Sequence, residues 1–270
     1  MRPFKFLLAV FLLLSGAAAL AQPYTVLRIV GKVESNLLKR VLQPGDRIDA
    51  KDKFTFGSRS AHVFLTSVKT GHVRIAGVPD SSPHEIMQLM EMFMRPDKKS
   101  SGSRGFSEEY TRHLENTMSY DTLLIIGDGR VPVDQSKLSL AAPAAVKALH
   151  WSGKNVVYNK VSATDGIILT EKSLFGGLAP APLPKVQIMY YENENDDPMF
   201  SNSIPMGTFV PLFVGDKELL LEIKALTGFV KSEMIEANLL DEIKKFLEAE
   251  YAMPQADNLN LWLVKNGIMR

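Results

Sequence analysis

The sequence predicts a mixed α+β protein with many short strands and with helices at the C-terminus. Three observations carry this prediction. Residues 24–76 alternate apolar and polar positions between turn signals, as half-buried strands do. Residues 120–213 contain further short apolar runs separated by glycine-containing turns. From residue 216 onwards the apolar side chains recur at helical spacing.

The first residues have the composition of an export signal. Arg2 and Lys5 form a basic start, Phe6–Leu14 is an apolar run, and Ala19-Leu20-Ala21 is an A-x-A cleavage motif. The run is shorter than the roughly 20 residues that span a bilayer, which favours a cleaved signal over an uncleaved anchor. We therefore expect a signal peptide over residues 1–21, cleavage near Ala21, and a periplasmic or secreted mature chain without a membrane span.

Composition narrows the classes of function. The 270 residues include no cysteine, which excludes disulfides, thiolate metal sites and cysteine nucleophiles. The hydrophobic fraction of 46% supports a sizeable core. The formal net charge is +1 and no basic block occurs, which argues against nucleic acid as a partner.

The stretch 24–76 is the most regular part of the chain. Turn signals divide it into five or six predicted strands, at Pro44-Gly45-Asp46, Gly57-Ser58 and Thr70-Gly71. This spacing predicts a small, compact β domain.

Side chains alternate between the two faces of a strand. Ala61, Val63 and Leu65 are therefore predicted to share a face that points to the core. His62 and His72 then point outwards on candidate neighbouring strands, where they could meet across the sheet. Two separate exposed polar positions are the favoured interpretation.

Several motifs in this stretch resemble the periplasmic FecR-type domain of bacterial cell-surface signalling proteins. They are Val30-Gly31-Lys32-Val33, Leu42-x-x-Gly45-Asp46-x-Ile48, Asp52-x-Phe54, Ser58-x-Ser60-Ala61-x-Val63 and Gly71-x-Val73. The matching part has on the order of 50 residues, the lower limit for a domain. The resemblance implies a small β fold and a periplasmic address. FecR proteins also carry a cytoplasmic anti-sigma segment and a transmembrane helix before this domain, whereas a signal peptide is expected here, so sigma-factor regulation is not implied.

A helix is predicted at 81–94, followed by a linker. Ser82 is a good N-cap, Pro83 suits the first helical position, and Glu85 completes a capping box. Residues 95–106 are polar and rich in serine and glycine, which is typical of a flexible connection.

A second β-rich module is expected over residues 119–215. Its predicted strands are Asp121–Ile126, Arg130–Val133, Val146–Trp151, Asn155–Val161, Ile167–Leu169, Val186–Tyr191 and Thr208–Phe213. The first two flank Gly127-Asp128-Gly129 and predict a hairpin. A phosphate-binding loop is the weaker interpretation, because no helical pattern and no lysine-bearing loop follow these glycines.

Residues 216–270 predict a C-terminal helical segment. One apolar face precedes Gly228, which is predicted to interrupt the helix, and a second face follows. A last short helix is expected to have Asp257 as its N-cap and to end at Gly267.

One group of side chains is a candidate metal site. Four carboxylates lie close together between two predicted strands, at Glu192, Glu194, Asp196 and Asp197. Calcium prefers such oxygen ligands, but the spacing of a calcium loop is missing, so an exposed hairpin tip is the favoured interpretation. The five histidines show no metal-ligand spacing. No cofactor and no catalytic residue are predicted.

These patterns predict five parts: a signal peptide at 1–21, a FecR-like β domain at 22–79, a helix and flexible linker at 80–118, a β-rich module at 119–215 and C-terminal helices at 216–270. The favoured function is that of a non-enzymatic exported envelope protein that binds or scaffolds another envelope protein through exposed sheet faces or edges. Two alternatives stay open. One is a secreted hydrolase with a site assembled in the 119–215 module, and the other, implied by the resemblance alone, is a ligand sensor in cell-surface signalling.

Overall fold

A computed structural model describes residues 24–77, 84–86, 121–133, 140–163, 166–177, 179–195, 203–234 and 236–269. Within these ranges the predicted mixed α+β class is confirmed. The chain divides into two units. The first unit is formed by Met1–Ser100 with Leu221–Ala237, and the second unit by Ser101–Leu220 with Asn238–Arg270.

The described strands are β1 Tyr24–Val30, β2 Val33–Ser35, β3 Arg40–Val41, β4 Arg47–Ile48, β5 Lys53–Phe56, β6 His62–Ser67, β7 Gly71–Ala76, β8 His84–Glu85, β9 Thr122–Ile125, β10 Arg130–Val131, β11 Ala145–Ser152, β12 Asn155–Val161, β13 Ile167–Ile168, β14 Val186–Tyr191, β15 Ser203–Phe213 and β16 Met253–Pro254. The described helices are α1 Glu171–Phe175, α2 Asp216–Glu233, α3 Leu239–Glu250 and α4 Ala256–Lys265.

The first unit contains two four-stranded sheets, of order β4-β1-β6-β7 and β3-β2-β5-β8. Their strand pairs are antiparallel. The predicted core face is confirmed, because Ala61, just before β6, and Val63 and Leu65 in β6 are fully buried. They belong to an apolar cluster that also takes Val33 and Phe54 from the other sheet. This shared core holds the two sheets together.

The predicted helix start near Ser82 is wrong in its described part. Two residues assigned to its first turn, His84 and Glu85, form β8 and pair with β5. Ile86 then donates its backbone N–H to Asp52 O at 3.1 Å and is fully buried in the core. Pairing with an open sheet edge thus prevails over a local capping signal. The remainder of the predicted helix and the linker at 95–106 lie outside the described residues.

Helix α2 continues through Gly228, so the predicted interruption is wrong. Glycine in a helix costs about 1 kcal/mol relative to alanine. The neighbouring Leu226, Phe229 and Val230 are buried, and this burial offsets the cost.

Two ion pairs attach the α2 residues of the first unit to its strands. Arg28 Nε on β1 lies 3.6 Å from Glu222 Oε1, and Arg47 Nη2 on β4 lies 2.9 Å from Glu233 Oε1. The part of α2 from Leu221 onwards therefore belongs to the structure of the first unit.

The second unit is built on a six-stranded sheet of order β12-β11-β14-β15-β9-β16. Strand β9 runs parallel to both of its neighbours, and the other pairs are antiparallel. One face carries an apolar core that includes Leu123, Val146, Ala148, Ile188 and Phe209. A two-stranded ribbon of β10 and β13 adds Val131 and Ile167 to the same core.

The turn at Gly127-Asp128-Gly129 is confirmed, but the hairpin predicted around it is wrong. Strand β10 pairs with β13, and β9 lies between β15 and β16. Gly129 has a φ of +65°, and a Cβ built on it would lie 1.9 Å from Leu169 O. A glycine is therefore required at this turn, where the chain passes from β9 in the six-stranded sheet to β10 in the two-stranded ribbon. Strand β9 has a neighbour on each side, and its consecutive Leu123, Leu124 and Ile125 are all buried, so both of its faces are covered.

Helix α4 begins before its predicted N-cap, Asp257. The N-cap is Gln255, whose side chain accepts a hydrogen bond from Asn258 N at 2.6 Å. The Asn258 side chain also accepts from Ile126 N at 3.1 Å and donates to Ile126 O and Arg130 O at 3.1 and 3.0 Å. This buried amide couples the helix to the turn after β9, which explains the earlier start.

Candidate functional site

The predicted calcium ligands lie in the connection between β14 and β15. Glu192 and Glu194 are exposed, and Asp196 and Asp197 lie outside the described residues. Lys160 Nζ contacts Glu194 Oε1 at 2.8 Å, and this hydrogen bond lowers the pKa of Glu194. The carboxylate is thus engaged with a lysine on β12. In the described ranges, no three histidine, aspartate or glutamate side chains form a group that could hold a metal ion.

His62 and His72 lie on neighbouring strands, but they do not meet. The register places His62 opposite Ala76 and His72 opposite Thr66. His62 Nδ1 donates to Ser60 O at 3.1 Å and Nε2 accepts from Arg74 Nη2 at 3.2 Å, while burial lowers the pKa of His62. The His72 ring stacks on Phe64 with 5.6 Å between centroids. The two histidines therefore have separate structural roles.

His150 lies on the core face of β11. Its ring meets Phe175 of α1 edge to face, with 5.2 Å between centroids, and burial lowers its pKa. The Nδ1 atom has no hydrogen-bond partner among the described residues. A catalytic histidine is usually oriented by a hydrogen bond to a third group, and His150 has no such partner in the part of the chain that the structure describes.

The candidate surface is the edge of the six-stranded sheet at β12. This strand pairs with β11 over seven positions, from Val146 opposite Val161 to Ser152 opposite Asn155. Among the described strands it has no second neighbour. The other edge, β16, is a two-residue strand that ends in Pro254, and proline cannot donate a ladder hydrogen bond. The β12 edge is thus the longer and better template for a further strand.

An aromatic face lies beside this edge. Trp151 is 64% exposed and Tyr158 is 46% exposed. Trp151 lies opposite Val156 and Leu149 lies opposite Tyr158, so all four side chains share one face of the hairpin. We call these four residues the aromatic face.

The opposite face of the hairpin is fixed by packing. Val146 and Ala148 are buried in the core, and Asn159 Nδ2 donates to Leu174 O of α1 at 2.8 Å. Helix α1 begins with a capping box formed by Thr170 and Ser173. These contacts hold β12 in place, so a partner would meet a preformed edge.

The charge on the edge is compensated. Exposed edge strands often carry a lysine that prevents further pairing, and Lys160 occupies that position on β12. Its ammonium is paired with Glu194. On the neighbouring strand, Lys147 Nζ donates to Glu194 O at 2.9 Å and lies 4.6 Å from the centroid of the Tyr191 ring. Both lysines therefore contact polar groups of this unit.

No protein-family model, curated protein or solved structure gives a significant match to this chain. The resemblance of residues 24–76 to FecR-type domains therefore stays a prediction. Among the described helices, none is both long enough and apolar enough to cross a bilayer.

Proposed function

We propose that this chain is an exported, non-enzymatic protein of the bacterial envelope that binds another protein through the β12 edge. The observation that carries the proposal is the outer edge of the seven-residue strand β12, which pairs with no further strand among the described residues and lies beside the exposed aromatics Trp151 and Tyr158. Export and envelope location rest on the N-terminal signal pattern. In this mode an extended segment of the partner adds a strand to the sheet, and its side chains contact the aromatic face.

The two parts of the surface would contribute differently. A main-chain hydrogen bond contributes about 0.5–1.5 kcal/mol net and is independent of sequence. Buried aromatic anchors contribute about 2 kcal/mol or more at interface centres. The β12 backbone would therefore set the partner's extended conformation, and the aromatic face would select its side chains. An extended segment with apolar residues at alternate positions fits this surface best.

In-cell photocrosslinking tests the proposal. A photoreactive side chain at Tyr158 is expected to yield one dominant envelope protein, identified by mass spectrometry. Val264 on α4, which is 55% exposed, is the matched control and should not yield that protein. The same products at both positions, or none at Tyr158, would contradict binding at the β12 edge.

A substitution separates edge pairing from non-specific contact. Tyr158→Lys adds a protective charge to the edge strand and should abolish the crosslink from a second reporter placed at Asn155. The thermal unfolding midpoint should stay close to that of the unsubstituted chain, because Tyr158 is largely outside the core. Hydrolysis of peptides, glycans or esters by the purified chain would favour the hydrolase alternative instead.

A further inference from the structure

A second surface lies in the first unit, in residues 36–41, which we call the dileucine tip. All six residues are exposed. Three of them are large aliphatic side chains, with exposed fractions of 61% for Leu37, 37% for Leu38 and 40% for Val41. Single exposed leucines are common on proteins, but two adjacent exposed leucines in the turn between β2 and β3 form an apolar contact point.

A buried carboxylate accepts a hydrogen bond from the backbone of the dileucine tip. Asp52 is fully buried. Its Oδ1 accepts from Leu37 N at 3.0 Å and its Oδ2 accepts from Ser35 Oγ at 2.5 Å. Ser35 Oγ in turn accepts from Leu38 N at 2.9 Å. The N–H groups of both leucines are bonded to this network, and both leucine side chains are exposed.

The tip also carries a cation in an unusual backbone conformation. Lys39 has a φ of +53°, the one positive φ of a non-glycine residue in the described ranges. This conformation costs roughly 1–2 kcal/mol for residues with a Cβ. Arg40 is paired with Asp46 at 2.6 Å, so Lys39 supplies the unpaired charge of the described tip.

The surrounding sequence is more basic than the rest of the chain. Residues 32–53 contain six basic and four acidic residues, a net charge of +2, whereas the whole chain has a net charge of +1. One of the four acids, Asp52, is buried below the tip. Within the tip itself, the exposed Lys39 directly follows the exposed Leu37 and Leu38, so apolar side chains and a positive charge are adjacent.

We propose that the dileucine tip docks the chain onto an anionic lipid surface, with Leu37 and Leu38 inserted among the headgroups and acyl chains and Lys39 at the phosphates. A tip of six residues is too small for a stable protein interface, which buries about 1,200 Å² or more. A bilayer interface accepts such a contact, because apolar side chains enter it singly and lysine reaches back to the headgroups. This surface is independent of the β12 edge.

Vesicle flotation of the mature chain tests the proposal. The chain is expected to float with vesicles of phosphatidylethanolamine and phosphatidylglycerol and to bind pure phosphatidylcholine vesicles more weakly. The double variant L37Q/L38Q should weaken binding to the anionic vesicles at least about tenfold. Lys39→Asn removes the charge but tolerates a positive φ, and it should weaken binding about fivefold.

Two controls make the result specific. Leu221→Gln changes a leucine that is 58% exposed on α2 and should leave vesicle binding unchanged. Tyr158→Lys should also leave it unchanged, which separates this proposal from the function of the β12 edge. Circular dichroism checks that each variant is folded.

The proposal is overturned if the chain does not bind anionic vesicles or if L37Q/L38Q binds them as well as the unsubstituted chain does. Equal binding to phosphatidylcholine would overturn the role of Lys39. If the tip instead crosslinks to an acidic protein and not to lipid, the surface is a protein interface and the lipid proposal fails.

Discussion

Protonation of the His150 side chain is unfavourable in the folded protein. Its side chain is 6% exposed, and burial holds its pKa below the usual 6.5. Its neighbour across to β12 is Val157 and across to β14 is Val186, and neither can stabilise an imidazolium. Protonation would therefore oppose the packing of β11 against Phe175.

Mild acid should destabilise the chain through this residue. The folded-state pKa lies below the unfolded value, so the contribution to stability is fully present above about pH 6.5 and falls as the pH drops towards the folded pKa. We expect His150→Leu to reduce the loss in urea midpoint between pH 7.5 and pH 5. His62→Gln is the comparison, and it should change this loss less because solvent screens His62. An identical pH dependence in His150→Leu and the unsubstituted chain would contradict this prediction.

The exposure of single side chains was beyond prediction from the sequence. Trp151 and Tyr158 fall inside strands that the alternation of side chains predicts, yet an aromatic residue in a strand is usually buried. Whether it faces the core or solvent depends on what covers that face, which is decided by distant segments. The calcium candidate Glu194 illustrates the same limit, because its lysine partner lies on β12, 34 positions earlier in the sequence.

Among the secondary-structure elements, those with local signals were predicted best. The bounds of β12 and β14 match the predicted Asn155–Val161 and Val186–Tyr191. Pairing was predicted less well, because it depends on contacts far apart in sequence. The turn after β9 looked like a hairpin, although β9 finds its neighbours in β15 and β16.

Two glycine turns allow the cost of a positive φ to be separated from the cost of a steric clash. Gly129 and Gly153 have nearly equal φ angles of +65° and +63°, but a Cβ at Gly129 would lie 1.9 Å from Leu169 O and a Cβ at Gly153 would meet nothing within 4 Å. Gly153→Ala should cost about 1 kcal/mol of unfolding free energy, the cost of the conformation alone. Gly129→Ala should cost at least about 2 kcal/mol more, because backbone must move. Urea denaturation measures both, and equal losses would show that the clash at Gly129 is relieved cheaply.

Considered across the full chain, both units depend on residues from its last fifth. The first unit includes Leu221–Ala237 and the second unit includes Asn238–Arg270. In the second unit, α3 and α4 bury six large side chains, namely Ile243, Phe246, Leu247, Leu259, Trp262 and Leu263. Neither unit is therefore a continuous segment of sequence. Local sequence patterns do not predict this division, because it depends on contacts between distant segments.

A chain that ends at residue 237 should lose the second unit. Six buried side chains of this size contribute roughly 9 kcal/mol or more, comparable with the whole 5–15 kcal/mol of a domain's stability. We expect the amides of β9 to be protected from hydrogen exchange in the full chain and unprotected in the shortened one. Protection of β9 in both chains would mean that β15 alone is sufficient to hold it.

The position of β9 also affects when the protein can fold during its synthesis. The strand ends at Ile125, but its partners begin at Ser203 and Met253. At about 5–20 residues per second, the ribosome needs several seconds to supply the first partner and more to supply the second. Until then β9 has neither of its two neighbours, and the six-stranded sheet is incomplete. A chain that completes its fold only after its C-terminus is made can still be threaded through a translocation channel, which suits a protein whose first residues resemble an export signal.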